Sequence, residues 1–236
     1  MKVIIMTDER CGGTTFTEIL ATSSKSSSFS GLHDPQTNTV SRFPDYPGPQ
    51  GDIISLLDYL FEVKRINIIK LCYVSFSLAE YFAIVDYAVK HQVSLIMLDR
   101  TNIYDRALSK VVAEVTTYDI KTDEYMRPFS VDTAFFEYET YRYYDTVREL
   151  RAHLKRHDVR YLYVEFEKMY NKNADISMAE YHRVFDYLAI PESDRNIEEF
   201  KRFYDLDYQS ERLHTHIHNM DQVRNLICDI QRRTES

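Results

Sequence analysis

The stretch Val3-Ile4-Ile5-Met6-Thr7-Asp8-Glu9-Arg10-Cys11-Gly12-Gly13-Thr14-Thr15-Phe16 decides how the chain is read. The apolar run from Val3 to Met6 predicts a buried strand and the glycine pair a turn. Phe16, Ile19 and Leu20 mark the inward side of a helix over residues 14–22. Strand, glycine turn and helix start in immediate succession make a phosphate cradle. Glycine lets the backbone approach an anion, the first helical N–H groups point at it, and the helix dipole favours negative charge. Arg10 would add a planar, permanently charged fork suited to phosphate or sulfate oxygens.

Two familiar loops do not fit. A nucleoside triphosphatase loop needs Lys and Ser or Thr directly after its last glycine, and no Lys follows Gly12-Gly13. A phosphate-cleaving loop with Cys11 as its thiolate would carry Arg six residues on, where Thr17 stands. Cys11 therefore reads as a small loop residue, although a helix N-terminus lowers thiol pKa values.

Outward from this loop, helix and strand patterns alternate. Helices are expected over 52–63, 78–91 (capped by Ser77), 102–115, 131–156, 177–188 and 219–230. Strands are expected over 67–74, 94–98 and 159–166, and the polar run 23–30 reads as a turn or short extended connection. Alternation of this kind implies a single α/β domain over residues 1–236. Its central sheet would be mostly parallel and flanked by helices, with ligands beyond the carboxyl ends of the strands. Leu98 ends a strand at that edge, so Asp99-Arg100-Thr101-Asn102 falls where a ligand would sit. Residues 31–52 hold Pro35, Pro44, Pro47 and Pro49 and cannot be regular; this segment is either an acceptor-side lid or a plain surface excursion.

A formal charge of −8, from 37 acidic and 29 basic residues, argues against a general nucleic-acid or anionic-membrane surface. Any anionic ligand must rely on local cations. Three widely spaced cysteines suit reduced thiols better than a disulfide framework, and the first apolar run is too short for a signal peptide. No run approaches the roughly 18 apolar residues of a membrane span, so a cytoplasmic protein is expected. His214, His216 and His218 would converge on a metal only if they lay on a strand, and no metal site is expected. Tyr141, Arg142, Tyr143 and Tyr144 read as a packed helix, not a base-stacking surface.

The chain resembles the sulfotransferases that use 3′-phosphoadenosine 5′-phosphosulfate (PAPS). The first loop of that family has the form R-[ST]-G-[ST]-T. Arg10-Cys11-Gly12-Gly13-Thr14 matches it at Arg, Gly and the last Thr, departing at Cys11 and Gly13, where Thr15 could restore a hydroxyl. The second family element, L-x-R and then Ser nine residues later, is matched by Leu98-Asp99-Arg100 and Ser109. Residues 161–167 resemble the family's strand ending in Tyr-Glu-Asp-Leu, with Phe166 for Tyr and Lys168 for Asp, which would make Glu167 an internal buttress, and Asn219 with the last helix resembles its closing segment. The resemblance spans nearly the whole length, but only the two loops are specific.

It implies a P-loop-like sulfotransferase architecture and metal-free transfer of a sulfuryl group from PAPS to a hydroxyl or amine of a small-molecule, saccharide or lipid acceptor. Arg10, Cys11, Gly12, Gly13, Thr14 and Thr15 would hold the 5′-phosphosulfate, and Arg100 and Ser109 the 3′-phosphate. The base would be His33 or Asp34, with His33 nearer its working pKa unaided. The alternatives are a small-molecule kinase, weakened by the absent Lys, and a nucleotide-binding module without turnover.

Overall fold

The computed structural model describes residues 1–30, 52–116, 129–198 and 217–234. The fold is α/β, and its sheet is wholly parallel. Strands β1 (Val3–Thr7), β2 (Ser28–Ser30), β3 (Ile68–Cys72), β4 (Ser94–Asp99) and β5 (Tyr161–Glu165) lie in the order β2-β3-β1-β4-β5. The helices are α1 (Gly13–Ser23), α2 (Ile53–Asp58), α3 (Leu78–Lys90), α4 (Ile103–Thr116), α5 (Thr133–Arg156), α6 (Phe166–Met169), α7 (Ala174–Tyr187) and α8 (Met220–Thr234). Two compact units divide the described residues: 1–30, 52–101 and 146–198 in the first, which holds the whole sheet, and 102–116, 129–145 and 217–234 in the second.

In the first unit every residue of β1 is buried, so both faces of the central strand are covered. Val3 and Ile5 join Phe16, Ile19 and Leu20 of α1 and Tyr181, Val184 and Phe185 of α7 in one core. Ile4 and Met6, equally buried, face the other way by strand alternation. The α1 stripe predicted from sequence, Phe16, Ile19 and Leu20, is part of this core, whereas Leu78 and Val89, which repeat at helical spacing along α3, are exposed.

Caps mark several boundaries. Ser77 and Glu80 form a reciprocal capping box at α3, and the Asp52 carboxylate accepts from the Ile54 and Ser55 N–H groups at 3.1 Å. That carboxyl is held below its ordinary pKa first by the Ser55 hydroxyl bond and then by the backbone donors. Three expectations shift in detail. Residues 28–30 pair in parallel with β3 as a short polar edge strand, the helix expected over 52–63 changes to π geometry at Tyr59–Val63, and α7 starts at Ala174, capped by Asn173. A three-residue strand flanked by serines is a safe sheet edge, since it offers little apolar surface for stray pairing.

The second unit packs Ala107, Leu108, Val111 and Val112 of α4, Phe136 of α5, and Val223 and Ile230 of α8 around one core. Asn219, just before α8, clasps the Val131 backbone twice, accepting from its N–H at 2.8 Å and donating to its carbonyl at 2.9 Å. Arg106 is fully buried beside Glu139, which also pairs with Arg142. Burial pushes the Glu139 carboxyl up, but Arg142 and Arg106 outweigh it and hold the group below its usual range. The tyrosines flanking Arg142 belong to this packed helix, with Tyr143 buried beneath the Arg106 guanidinium at 5.0 Å.

Two outcomes follow for stability. Glu139→Ala leaves buried Arg106 uncompensated and should cost about 3–5 kcal/mol in denaturant unfolding. His153 is buried against Phe82, and burial, followed by the charge of His157, lowers its pKa below 6.5. The unfolded chain therefore binds the extra proton first. Stability should fall as pH drops below about 6.5, and His153→Phe should lose less between pH 7.5 and 5.5 than the parent chain in the same unfolding assay.

Candidate functional site

Strand order alone locates a crevice. The chain leaves β1 toward β2 on one side and β4 toward β5 on the other, so β1 and β4 flank the point where direction reverses. Their carboxyl ends carry the two loops singled out from sequence, at Arg10 and at Arg100, and both arginines belong to the first unit.

The first loop turns from β1 into α1 through two left-handed residues, Arg10 at φ 64° and Gly12 at φ 70°. Glycine takes this geometry freely, whereas an arginine there is strained. Gly12 occupies the N-cap position with no side-chain cap, so the first-turn N–H groups have no capping acceptor. A Cβ on Gly13 would lie 2.5 Å from Thr7 Cγ2 and 3.2 Å from Lys70 Cδ, so glycine is required for close approach. Thr17, which stands where a phosphate-cleaving loop would carry Arg, donates its hydroxyl to the Gly13 carbonyl at 2.7 Å.

Cys11 is fully buried, in keeping with a small loop residue, while Arg10 and Thr14 are exposed and Thr15 is half-buried. Lys70 of β3, passed over in the sequence as part of an apolar strand, donates to Thr14 Oγ1 at 3.0 Å. Among the described residues it has no carboxylate within ion-pair distance. The sign that could have revealed it is a single cation inside Ile68-Ile69-Lys70-Leu71-Cys72.

The second loop is anchored from β5 and α6. Arg100 is 6 % exposed and lies over the Phe166 ring at 4.7 Å, its Nε 4.0 Å from Glu167 Oε1. Glu167 Oε2 accepts from the Thr101 N–H at 3.0 Å and from its hydroxyl at 2.8 Å. Glu167 thus acts as the buttress the sequence suggested. Phe166 and Tyr170 pack at 4.9 Å between ring centres, and the Tyr170 hydroxyl donates to the Gly12 carbonyl at 2.7 Å. One short segment therefore touches both loops.

Each loop has an acidic root. Asp8 is buried, accepts from the Glu9 N–H at 2.9 Å and lies 3.6 Å from Cys72 Sγ. Burial, then Asp8 and Glu9, push the Cys72 thiol well above its ordinary value, so it remains a protonated donor. Asp99, also buried, accepts from the Tyr73 hydroxyl at 3.0 Å and lies 3.8 Å from Arg151.

Ser109 is buried in α4 of the second unit. His33, Asp34, His214, His216 and residues 31–51 of the lid segment lie outside the described residues, and the His218 N–H donates to the Phe129 carbonyl at 2.8 Å. Among the described residues no group of three His, Cys, Asp or Glu side chains is placed to hold a metal, and no helix is long and apolar enough to cross a membrane. The chain matches no protein-family model and no curated protein.

Gly13→Ala should destabilise the fold through its collision with Thr7. Thr7→Ser deletes the offending methyl, so the double variant should recover part of the loss, which a thermal-unfolding cycle of the four proteins measures.

Proposed function

We propose that the chain is a sulfotransferase that moves a sulfuryl group from PAPS to a hydroxyl or amine of a small-molecule, saccharide or lipid acceptor. The observation that carries this reading is the pairing of two basic sites at the carboxyl ends of adjacent strands. One is the uncapped start of α1 with Lys70 beside it; the other is Arg100 at the end of β4. The distinctive features of a nucleotide with phosphates on both the 5′ and 3′ positions are its two separate anionic ends. The residues present fit such a donor: a glycine cradle too tight for any Cβ, backbone donors and a nearby ammonium.

In the reaction the acceptor oxygen or nitrogen forms a bond to sulfur while the bond from sulfur to the 5′-phosphate oxygen breaks. The electron pair stays on the departing adenosine 3′,5′-bisphosphate. The chain's contribution is positioning and charge neutralisation. Arg10, Lys70 and the N–H groups of residues 13–15 face the charge that grows on the phosphate oxygen. Arg100 grips the 3′-phosphate with its orientation set by Phe166 and Glu167. His33 or Asp34 accepts the proton of the acceptor.

A binding module without turnover is the second reading. It is favoured by Cys11 and Gly13, which stand where the family's loop carries Ser or Thr and so leave the cradle with fewer hydroxyls.

Thermal unfolding with adenosine 3′,5′-bisphosphate, set against ATP with magnesium, tests the ligand, and transfer of labelled sulfate tests turnover. At a hundred times Kd the bisphosphate should stabilise by about 2.7 kcal/mol. Arg10→Ala and Arg100→Ala should each weaken its binding by about 1.5–3 kcal/mol by calorimetry. Arg10→Gly should bind as poorly as Arg10→Ala yet unfold about 1 kcal/mol harder, because glycine relieves the left-handed strain. His33→Ala should spare binding and lower turnover; if Asp34→Asn alone does so, Asp34 is the base.

A further inference from the structure

Tyr170 belongs to neither sequence motif, yet it makes the most direct side-chain contact with the Gly12 turn. Its hydroxyl donates to the Gly12 carbonyl at 2.7 Å, and the same carbonyl accepts from the Phe16 N–H at 2.9 Å in the first turn of α1. Its ring occupies the space a Gly12 side chain would need, with Phe166 Cε2 3.1 Å from the same point. Phe166 in turn lies under Arg100. The mount is firm: the Asn171 side chain bonds back to the Glu167 carbonyl at 3.0 Å, and the Asn171 N–H donates to the fully buried Ser177 hydroxyl at 2.9 Å.

We infer that Tyr170 is a positioning residue for the anion loop. Its hydroxyl fixes the left-handed Gly12 peptide, and thereby the direction of the N–H groups of residues 13–15, while Phe166 sets the Arg100 fork from the same short segment. This rests on the donor-binding reading above. The physical need is specific to this chain. With Cys11 fully buried and Gly13 lacking a side chain, the loop binds mainly through its backbone, and backbone donors are worth most when they are already aimed before the ligand arrives. The Gly12 carbonyl has one bond from its own segment, the Phe16 N–H, and the Tyr170 hydroxyl adds a second from another element.

The test uses the full chain and three probes: adenosine 3′,5′-bisphosphate, adenosine 5′-monophosphate and adenosine 3′-monophosphate, titrated calorimetrically against the parent, Tyr170→Phe and Phe166→Leu. Tyr170→Phe keeps the ring and deletes one hydrogen bond. It should weaken the two 5′-phosphorylated probes about tenfold and leave the 3′-monophosphate unchanged. Phe166→Leu should do the reverse with the two monophosphates, weakening the 3′ one. A general structural fault would lower all three together, and that result, or unchanged binding in Tyr170→Phe, overturns the positioning role while leaving the donor reading intact.

If the parent chain binds none of the probes, the donor reading itself fails, and the positioning role with it. Amide hydrogen exchange in nucleotide-free protein reads the tie separately. The Phe16 amide should exchange faster in Tyr170→Phe than in the parent, and equal rates overturn the inference whatever binds.

Discussion

The closeness of Gly13 to Thr7 is the constraint from which the rest of the site follows. Because α1 starts where any Cβ would sit 2.5 Å from the last side chain of β1, the chain must reverse within residues 8–12. So short a reversal needs left-handed backbone, and it is used at both Arg10 and Gly12. Between them Cys11 turns fully inward, while Arg10 is presented outward. Strain of this kind, of order 1–3 kcal/mol per residue, persists only where surrounding structure over-determines it. Here the surroundings are identifiable: the Thr17 hydroxyl on the Gly13 carbonyl, the Tyr170 hydroxyl on the Gly12 carbonyl, and Lys70 on Thr14.

A chain with net charge −8 can still carry an anion site of the kind proposed, because Asp8 and Asp99 are buried at the roots of the two loops while Arg10 is presented outward at the first. Asp8 and Asp99 are both 2 % exposed and are engaged by neutral donors, the Cys72 thiol and the Tyr73 hydroxyl, at the ends of β1 and β4. Such contacts engage one oxygen of each carboxylate without using up Lys70. Arg151 is the exception, lying 3.8 Å from Asp99 and stacked on Tyr163, whose hydroxyl is pushed up to about 12 first by burial and then by the Asp99 charge. At the second loop Glu167 makes its shorter contacts with Thr101 and lies 4.0 Å from Arg100, which is stacked over the Phe166 ring.

What the sequence disclosed was whatever is encoded locally. The apolar run of β1, the Ser77 cap of α3 and the stripe of α1 each lie within one helix or strand, so periodicity and caps found them. Contacts between distant elements left no such mark. Nothing in Ser28-Phe29-Ser30 announces a strand, because its pairing is decided by the β3 backbone alongside it. Arg106 and Glu139 are 33 residues apart and were each unremarkable on their own helix. Tyr170, 158 residues from Gly12, could be connected with it only by folding. The anion loop itself was legible because glycine spacing is a local demand, while Lys70, Phe166 and Tyr170, which surround it, were not.

The position of Lys70 also bears on which anion chemistry the loop suits. In a nucleoside triphosphatase the residue after the loop's lysine is a Ser or Thr whose hydroxyl binds magnesium. The nearest counterpart in this loop is Thr14, whose hydroxyl already accepts from the Lys70 ammonium at 3.0 Å. A divalent cation at that oxygen would stand against a positive charge only a few ångströms away, at a repulsion of about 4 kcal/mol per unit charge pair near a protein surface. In the proposed donor complex Lys70, Arg10 and the backbone N–H groups would supply the neutralisation that a triphosphate receives from its metal. Sulfuryl transfer places less charge on the migrating group than phosphoryl transfer does, because a sulfuryl group carries one negative charge fewer. For the proposed sulfuryl transfer, an ammonium, an arginine and peptide N–H groups are matched to that smaller demand.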